Sequence, residues 1–247
     1  VKLDFTTATG TLIRSVTLHQ RTNARAEPAS GAPAGRGRQQ ARQESAEPGM
    51  NRFQWDMRYP EAAEVKGLYH SGFSASVPVG PEVVPGTYNV TLTYGTTTQK
   101  QPVVVKLDPR LNTTQAELQQ RFALLMQLHG AVNSLDTTLN KAIDARDSLA
   151  KAVANGGAAA ARSRAALDNL NRDIDNLVDL RIQSSEGALV YPPRLRAWLS
   201  AITGQVDMAF VAPTPAMVQV GDGYIRDAAA GVARLQADIV AAHGVVP

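Results

Sequence analysis

The spacing of apolar residues along this chain changes once, at Asp108-Pro109-Arg110. Before this point apolar and polar residues alternate, which is the period of two of a half-buried β-strand. After it apolar residues recur at every third or fourth position, the period of an α-helix with one buried face. With 247 residues, each half is long enough to bury a core of its own. The sequence therefore predicts an α+β protein with two domains, residues 1–108 and residues 109–247.

The first predicted domain is an Ig/fibronectin-like antiparallel β-sandwich. Its short strands alternate in hydrophobicity and are separated by turn residues such as Gly10 and Pro85-Gly86. The predicted strands are residues 1–5, 11–18, 51–60, 87–94 and 101–107. Residues 20–49 are mainly Ala, Gly, Pro, Arg, Gln and Glu, so we predict a disordered insertion there. Residues 61–84, rich in Gly, Ser and Pro, are predicted to form an irregular crossing within this domain.

The second predicted domain is an antiparallel helical bundle, since helices joined by short loops pack side by side. Thr114 and Glu117 have the spacing of a capping box, which satisfies free amide groups at a helix start. This first helix is predicted to reach Asn155, where Gly156-Gly157 is a stop signal. At about 1.5 Å per residue it would be roughly 60 Å long and would extend beyond the second helix. Its far end must therefore contact another element.

Three further helices are predicted from apolar spacing and from prolines, which suit the first helical turn. The second helix is predicted to end near residues 185–187. The third follows Tyr191-Pro192-Pro193 and is short, with the apolar residues Leu195, Trp198, Leu199, Ile202 and Val206. The fourth follows Thr214-Pro215, and its small residues Gly221 and Ala228 are predicted to let a neighbouring helix approach closely.

The sequence contains no residue pattern typical of an enzyme or of a metal site. Its four histidines are His19, His70, His129 and His243. No two of them have the i, i+4 spacing that directs two imidazole rings at one metal ion. The nearest acidic cluster, Asp56, Glu61 and Glu64, is predicted to be solvated surface charge rather than a pair of catalytic carboxylates. Cysteine is absent, which excludes thiolate chemistry. We predict no catalytic residue, no cofactor and no metal ligand in this chain.

Neither nucleic acid nor a membrane is a predicted partner. The formal net charge is +3, and the arginines are spread along the chain rather than clustered. The single Gly35-Arg36-Gly37-Arg38 run is flanked by glutamates, so we interpret it as a solvated linker rather than an RNA-binding repeat. No apolar stretch approaches the roughly 20 residues that cross a bilayer.

Two aromatic residues are candidates for contact with a partner or a glycan. Tyr69 and Phe73 lie in the irregular crossing, where an aromatic ring would be accessible to a sugar ring or to another protein. Trp55, by contrast, alternates with polar residues in a predicted strand and is expected in the core.

Several motifs resemble those of a known family. The β half contains Gly10 before Leu12-Ile13-Arg14, the run Asn51-Arg52-Phe53-Gln54-Trp55-Asp56-Met57-Arg58-Tyr59-Pro60, and Val84-Pro85-Gly86-Thr87-Tyr88. These motifs resemble the Ig-like module of flagellar hook-capping proteins. With Tyr191-Pro192-Pro193-Arg194-Leu195 and Pro213-Thr214-Pro215 included, nearly the whole chain resembles the C-terminal region of bacterial secreted sortilin-like or neuraminidase-repeat (BNR) β-propeller proteins, often labelled glycosyl hydrolases. The resemblance implies a secreted, periplasmic or extracellular location. It also implies that any catalytic or ligand site lies in the propeller, so no functional residue is carried over to this chain.

These observations predict a non-catalytic accessory or interaction module at the C-terminal end of a larger secreted β-propeller protein. Its partner would be the upstream propeller or another chain. One alternative is a carbohydrate-binding module of a secreted glycoside hydrolase whose catalytic part lies upstream, with polysaccharide as the ligand. Another is that the parent protein is an enzyme which this part only stabilises. Apolar and charged residues already alternate over residues 1–5, as they do in the interior of a strand. We therefore expect further sequence upstream, including any signal peptide.

Overall fold

The computed structural model describes residues 1–18, 46, 48–69, 79–184 and 186–245. The chain divides into two compact units, Val1–Pro60 with Glu82–Asn112, and Glu61–Pro81 with Thr113–Pro247. The α+β class is confirmed, because the first unit contains an antiparallel sheet and the second contains the helices. The junction lies close to Asp108, but the described residues 61–69 and 79–81, which the sequence places in the β half, belong to the helical unit. Nearly all of the insertion predicted at residues 20–49 lies outside the described residues.

The described part of the first unit contains one four-stranded sheet with the order β2-β1-β3-β4, and each neighbouring pair is antiparallel. The strands are β1 (Lys2–Thr7), β2 (Leu12–Thr17), β3 (Gly86–Tyr94) and β4 (Thr97–Val105). A turn at Gly10, with a φ of 94° that suits glycine, joins β1 to β2 and confirms the predicted hairpin. β4 begins earlier than predicted, because the polar residues 97–100 continue the ladder opposite β3.

Aromatic side chains fill the core of the β unit. The buried members of this core are Leu3, Phe5, Ile13, Leu18, Val83 and Tyr88. Trp55 packs against them, as predicted, with its ring stacked on Phe5 at a centroid distance of 4.6 Å. It also meets Tyr88 edge-on at 5.9 Å. Contacts of this geometry add to the stabilisation from apolar burial.

The prediction of a strand over residues 51–60 is wrong. In the described part of the chain, the segment makes one isolated bridge, between Arg58 and Glu82. Met57 has a φ of 60°, a left-handed backbone that cannot continue a strand, and its side chain is exposed. The Asp56 carboxylate accepts a hydrogen bond from the Arg58 amide at 3.1 Å, which favours a turn over an extended chain.

The helices of the second unit are α1 (Gln115–Asn155), α2 (Ala158–Leu177), α3 (Gly187–Val190), α4 (Leu195–Met208) and α5 (Pro215–His243). The predicted capping box at the start of α1 is confirmed. The Thr114 amide donates to the Glu117 carboxylate at 2.7 Å, and the Glu117 amide donates to the Thr114 hydroxyl at 3.2 Å. Helix α5 begins at Pro215, also as predicted, and the Thr214 hydroxyl caps its start.

Helix α2 ends at Leu177, earlier than predicted. Val178 is extended, and the Asp179 carboxylate accepts a hydrogen bond from the Arg181 amide at 3.1 Å. A side chain that bonds the backbone two residues ahead competes with the helical hydrogen bonds and stops the helix. Residues 178–194 therefore form a linker between two helices, which we call the α2–α4 linker.

The long helices α2, α4 and α5 all contact α1. Helix α4 runs antiparallel to α1, since Arg196 near its start bonds Asp136 and Asp207 near its end meets Arg121. Arg121 lies near the N-terminal end of α1, which α4 therefore covers. The expectation that this end of α1 contacts an element other than the second helix is confirmed.

Close approach of α5 to its neighbours occurs at two glycines. A Cβ atom added at Gly221 would lie 3.4 Å from the Cδ1 atom of Leu124 in α1. One added at Gly231 would lie only 2.7 Å from the Cδ2 atom of the buried Leu177 in α2. The predicted role of small residues in α5 is therefore confirmed at Gly221, and Gly231 has the same role.

Two glycine substitutions are expected to change stability in opposite directions. Gly130 is an exposed residue inside α1 with no atom within 4 Å of an added Cβ, so Gly130→Ala should raise the free energy of unfolding. The gain should be up to about 1 kcal/mol, because glycine is a poor helix former. Gly231→Val should lower it by about 1–3 kcal/mol through overpacking. Urea unfolding of the helical unit, monitored by circular dichroism at 222 nm, measures the free energy of unfolding of each variant. Equal effects of the two substitutions would contradict the packing described here.

Candidate functional site

A buried ion pair joins the start of α4 to the middle of α1. Asp136 is 0% exposed and Arg196 is 1% exposed. The Nε and Nη2 atoms of Arg196 donate three hydrogen bonds to the Asp136 carboxylate, at 2.8 to 3.2 Å. This arrangement neutralises both charges at a position shielded from bulk solvent. Its effect is to fix α4 at one position along α1.

A second ion pair lies in the α2–α4 linker. The Nε atom of Arg181 donates to the Asp179 carboxylate at 2.8 Å. Hydrogen bonds from Arg181 lower the pKa of Asp179, so this carboxyl group stays charged at neutral pH and is unsuited to proton transfer. Asp179, Arg194 and Arg196 line a cavity of about 10 Å³, which has room for about one water molecule. The linker is therefore held by an ion pair and lies beside a very small cavity.

The segment of residues 61–69 lies along α1, and its last residue is the candidate Tyr69. Asn133 and Asn140 of α1 each accept a backbone hydrogen bond from the segment, at 3.0 and 2.8 Å. Lys66 forms an ion pair with Asp144 of α1 at 2.6 Å. Tyr69 is half-buried, and Phe73 lies outside the described residues. A joint contact surface of these two aromatic side chains therefore stays a prediction.

The acidic residues 56, 61 and 64 do not form a site. Asp56 lies in the β unit, where it pairs with Arg14 at 2.9 Å. Glu61 and Glu64 are exposed residues of the helical unit. Among the described residues, no group of three or more His, Cys, Asp or Glu side chains has the arrangement of metal ligands.

A different carboxyl pair, Asp173 of α2 with Asp238 of α5, does interact. Burial raises the pKa of Asp238, and its hydrogen bond with Asp173 and the charge of Asp173 raise it further. The nearby Arg172 acts in the opposite direction. Two carboxyl groups this close favour sharing a proton over both being charged. The pair is a source of pH-dependent stability at the contact between the two helices.

A groove of about 430 Å³ runs between α1 and α5. Its lining residues are Lys141, Asp144, Ala145, Ser148, Ile239, Ala242 and His243. Asp144 is neutralised by Lys66, and the described lining contains no second carboxylate that could act with it as an acid–base pair. Within the described part of the chain, no helix is both long and apolar enough to cross a bilayer.

One exposed surface of the helical unit is uncharged. The residues Trp198, Ala201, Gln205 and Met208 follow one another at helical spacing on the outer side of α4, and Phe210 and Val211 come after its end. We call these six residues the α4 surface. Trp198 is 48% exposed and Met208 is 77% exposed. The other long helices place charged residues on their exposed sides, for example Arg164 on α2 and Arg226 on α5.

Arg121 of α1 fixes the end of α4 under this surface. Its Nε atom donates to the carbonyl oxygen of Val206 at 3.1 Å, and its Nη2 atom donates to the carbonyl oxygen of Asp207. The last carbonyl groups of a helix lack partners within the helix, and a positive charge beside them is favourable. The guanidinium carbon of Arg121 also lies 5.2 Å from the ring centroid of Phe210. The exposed residues at this end of α4 are therefore attached to α1 through Arg121.

The sequence assigns Trp198 to the apolar stripe of a short helix, and the structure corrects this. Arg196 points inward to Asp136. Successive residues of a helix are about 100° apart, so Trp198, two residues later, lies on the opposite, outer side of α4.

The pairing of Asp136 with Arg196 is not predicted from the sequence, although a signal for it exists. Asp136 lies within the buried stripe of α1, and Arg196 comes three residues before the buried Leu199.

Comparisons of this chain with protein-family models, with curated proteins and with solved structures found no match.

Removing one member of the buried ion pair is expected to destabilise the helical unit strongly. Asp136→Ala leaves the Arg196 charge buried without a partner, which should lower the free energy of unfolding by about 3–5 kcal/mol. The double variant Asp136→Leu with Arg196→Met should recover most of that loss, because no charge is then buried. Urea unfolding of the wild type and the two variants checks this, and a double variant no more stable than Asp136→Ala would contradict it.

The Asp173–Asp238 pair predicts a pH-dependent effect of one substitution. The pKa of Asp238 is 3.8 in the unfolded chain and is higher in the folded protein. Below pH 3.8 the carboxyl group is therefore protonated in both the folded and the unfolded protein. The stability that the protonated carboxyl group provides is therefore lost as the pH rises from 3.8 through the folded pKa. Asp238→Asn should be more stable than the wild type at pH 7, and the difference should shrink on acidification. Thermal unfolding across this pH range measures it, with Asp168→Asn as the exposed control on α2. A difference that does not vary with pH would rule out this role for the pair.

Proposed function

We propose that this chain is a non-catalytic accessory module that binds a protein partner through the α4 surface. In line with the resemblance, we propose that the module belongs to a larger secreted β-propeller protein, and that its first unit is an Ig-like β-sandwich. The partner is then the propeller or another chain. The observation that supports the proposal is the orientation of α4, which turns Arg196 inward and the large apolar residues Trp198 and Met208 outward.

The composition of the α4 surface is that of a protein interface. Interface cores are depleted in charge and enriched in tryptophan, phenylalanine and methionine. Tryptophan is also among the residues that contribute most to binding when a partner covers them. Trp198, Met208 and Phe210 supply these side chains, and no charged residue lies between them on the outer side of α4.

The anchoring of α4 at both ends is a second argument for binding through the α4 surface. Ordering flexible side chains and loops on binding reduces affinity, so a surface that is already fixed binds more strongly. Arg196 fixes the start of α4 through Asp136, and Arg121 fixes its end through Val206 and Asp207.

The state of the carboxyl groups favours a binding role over a catalytic one. The carboxylates of Asp136 in α1 and of Asp179 in the α2–α4 linker are both bonded to arginines, and the cavity beside the linker is too small for a substrate. The carbohydrate-binding alternative stays a prediction, because Tyr69 is half-buried and Phe73 lies outside the described residues.

Site-specific crosslinking tests the proposal directly. A photoreactive phenylalanine analogue at Gln205, in the centre of the α4 surface, should crosslink the full-length protein to a polypeptide, identified by mass spectrometry as propeller or as another chain. The same analogue at the exposed Arg164 of α2 is the control and should crosslink much less. In the Gln205 protein, adding Trp198→Ser should reduce the yield at least about tenfold, as expected for an interface tryptophan.

A matched substitution separates binding from solubility in this experiment. Val240→Ser also removes an exposed apolar side chain, but from α5, and should leave the crosslinking yield unchanged. Equal yields from Gln205 and Arg164, or equal losses from Trp198→Ser and Val240→Ser, would refute the proposed interface.

A further inference from the structure

We infer that the small cavity at the start of α4 binds a monatomic anion of the size of chloride. This inference goes beyond the proposed function, since it concerns the buried start of α4 and does not depend on what covers the α4 surface. Three features support it: the hydrogen-bond donors at the cavity, the charges around it, and its size.

Two buried arginine nitrogens at this cavity lack a hydrogen-bond acceptor. Arg196 is 1% exposed, and its Nε and Nη2 atoms are occupied by Asp136. Its Nη1 atom is buried and has no partner within the described part of the chain. The same holds for the Nε atom of Arg194, and both arginines line the cavity. Leaving a buried guanidinium N–H group without an acceptor is costly, so we expect an acceptor in the cavity.

The position of the cavity at the N-terminal end of α4 favours a negatively charged acceptor. Arg194 directly precedes α4, and Ala197 in the first helical turn also lines the cavity. Among the described residues, no side chain caps this end of the helix, and the first turn contains no acidic residue. The first amide groups of a helix lack partners within it, and their dipoles give this end a partial positive charge. The helix start and the two arginines therefore attract the same kind of ligand.

The ion pairs around the cavity leave one positive charge over. Asp136 neutralises Arg196, and Asp179 neutralises Arg181, whereas Arg194 has no carboxylate partner among the described residues. Asp179 also lines the cavity, where its charge would repel an anion. Arg181 offsets that repulsion, because its Nε atom and its amide donate to the Asp179 carboxylate at 2.8 and 3.1 Å. An anion in the cavity would therefore balance the charge of Arg194.

The size of the cavity restricts the ligand to a single small ion. Its volume of about 10 Å³ has room for about one water molecule. Phosphate, sulfate and organic carboxylates contain several heavy atoms and are too large. Chloride is close to water in size and only accepts hydrogen bonds, which suits guanidinium groups, because these only donate. A bound chloride would take the place of the missing cap of α4.

Anomalous X-ray scattering identifies the ligand directly. Long-wavelength data from crystals of the full chain grown in sodium chloride should show a chlorine peak within hydrogen-bond distance of two atoms, Arg196 Nη1 and Arg194 Nε. A water molecule at this position without an anomalous signal would overturn the inference, as would chloride bound only on the protein surface.

Thermal unfolding of the full chain tests anion binding in solution. Chloride is exchanged for gluconate at constant ionic strength, so that only the anion changes, and gluconate is too large for the cavity. The melting temperature, Tm, should rise as chloride replaces gluconate, because a ligand that binds only the folded protein stabilises it. A Tm that is the same in both salts would overturn the inference.

A pair of arginine variants connects this effect to the cavity. Arg194→Met removes one of the two donors without breaking an ion pair, and it should weaken the apparent affinity for chloride at least about tenfold, the usual loss for one hydrogen bond to a charged group. Arg226→Met removes an exposed arginine from α5 and should leave the chloride dependence unchanged. Circular dichroism confirms that each variant is folded. Equal chloride dependence of Tm in the wild type and in Arg194→Met would show that the ion does not bind here.

Discussion

Two arginine side chains determine where α4 lies, and the properties of the helical unit follow from that. Arg196, a residue of α4, bonds to Asp136 of α1. Arg121, a residue of α1, bonds to the last carbonyl groups of α4. A helix of 14 residues is only marginally stable alone, so α4 depends on these contacts and on buried residues such as Leu199. A buried ion pair adds little stability compared with apolar residues of the same size, but it restricts the geometry. Only an antiparallel α4 in this register satisfies Asp136 and Arg121 together.

The inward position of the charges decides what α4 presents outward. In most surface helices the charged residues face solvent and the apolar residues face the core. Helix α4 partly reverses this, because Arg196 and Asp207 are held by α1 while Trp198 and Met208 face out. The cost of exposing these apolar side chains is offset when another protein covers them. The same ion pairs that fix the fold therefore create the surface on which the proposed function depends.

Local signals in the sequence predict most of the helical unit. The capping box at Thr114, the glycine stop after Asn155 and the proline start of α5 each act through the backbone of a few residues. Interactions between distant residues are not predicted. The turn at Met57 depends on an aspartate side chain rather than on hydrophobic alternation, so the strand prediction fails there. The exposure of Trp198 depends on Asp136, a residue 62 positions away by the numbering, which periodicity within one helix cannot reveal.

Amide hydrogen exchange of α4 tests the anchoring at both ends most directly. If both arginines hold the helix, the amides of α4 should exchange as slowly as those of α1 in the wild type. In Arg196→Met they should exchange faster from the start of α4, and in Arg121→Met from its end. Rapid exchange of α4 in the wild type, or uniform loss of protection along α4 in both variants, would contradict this account.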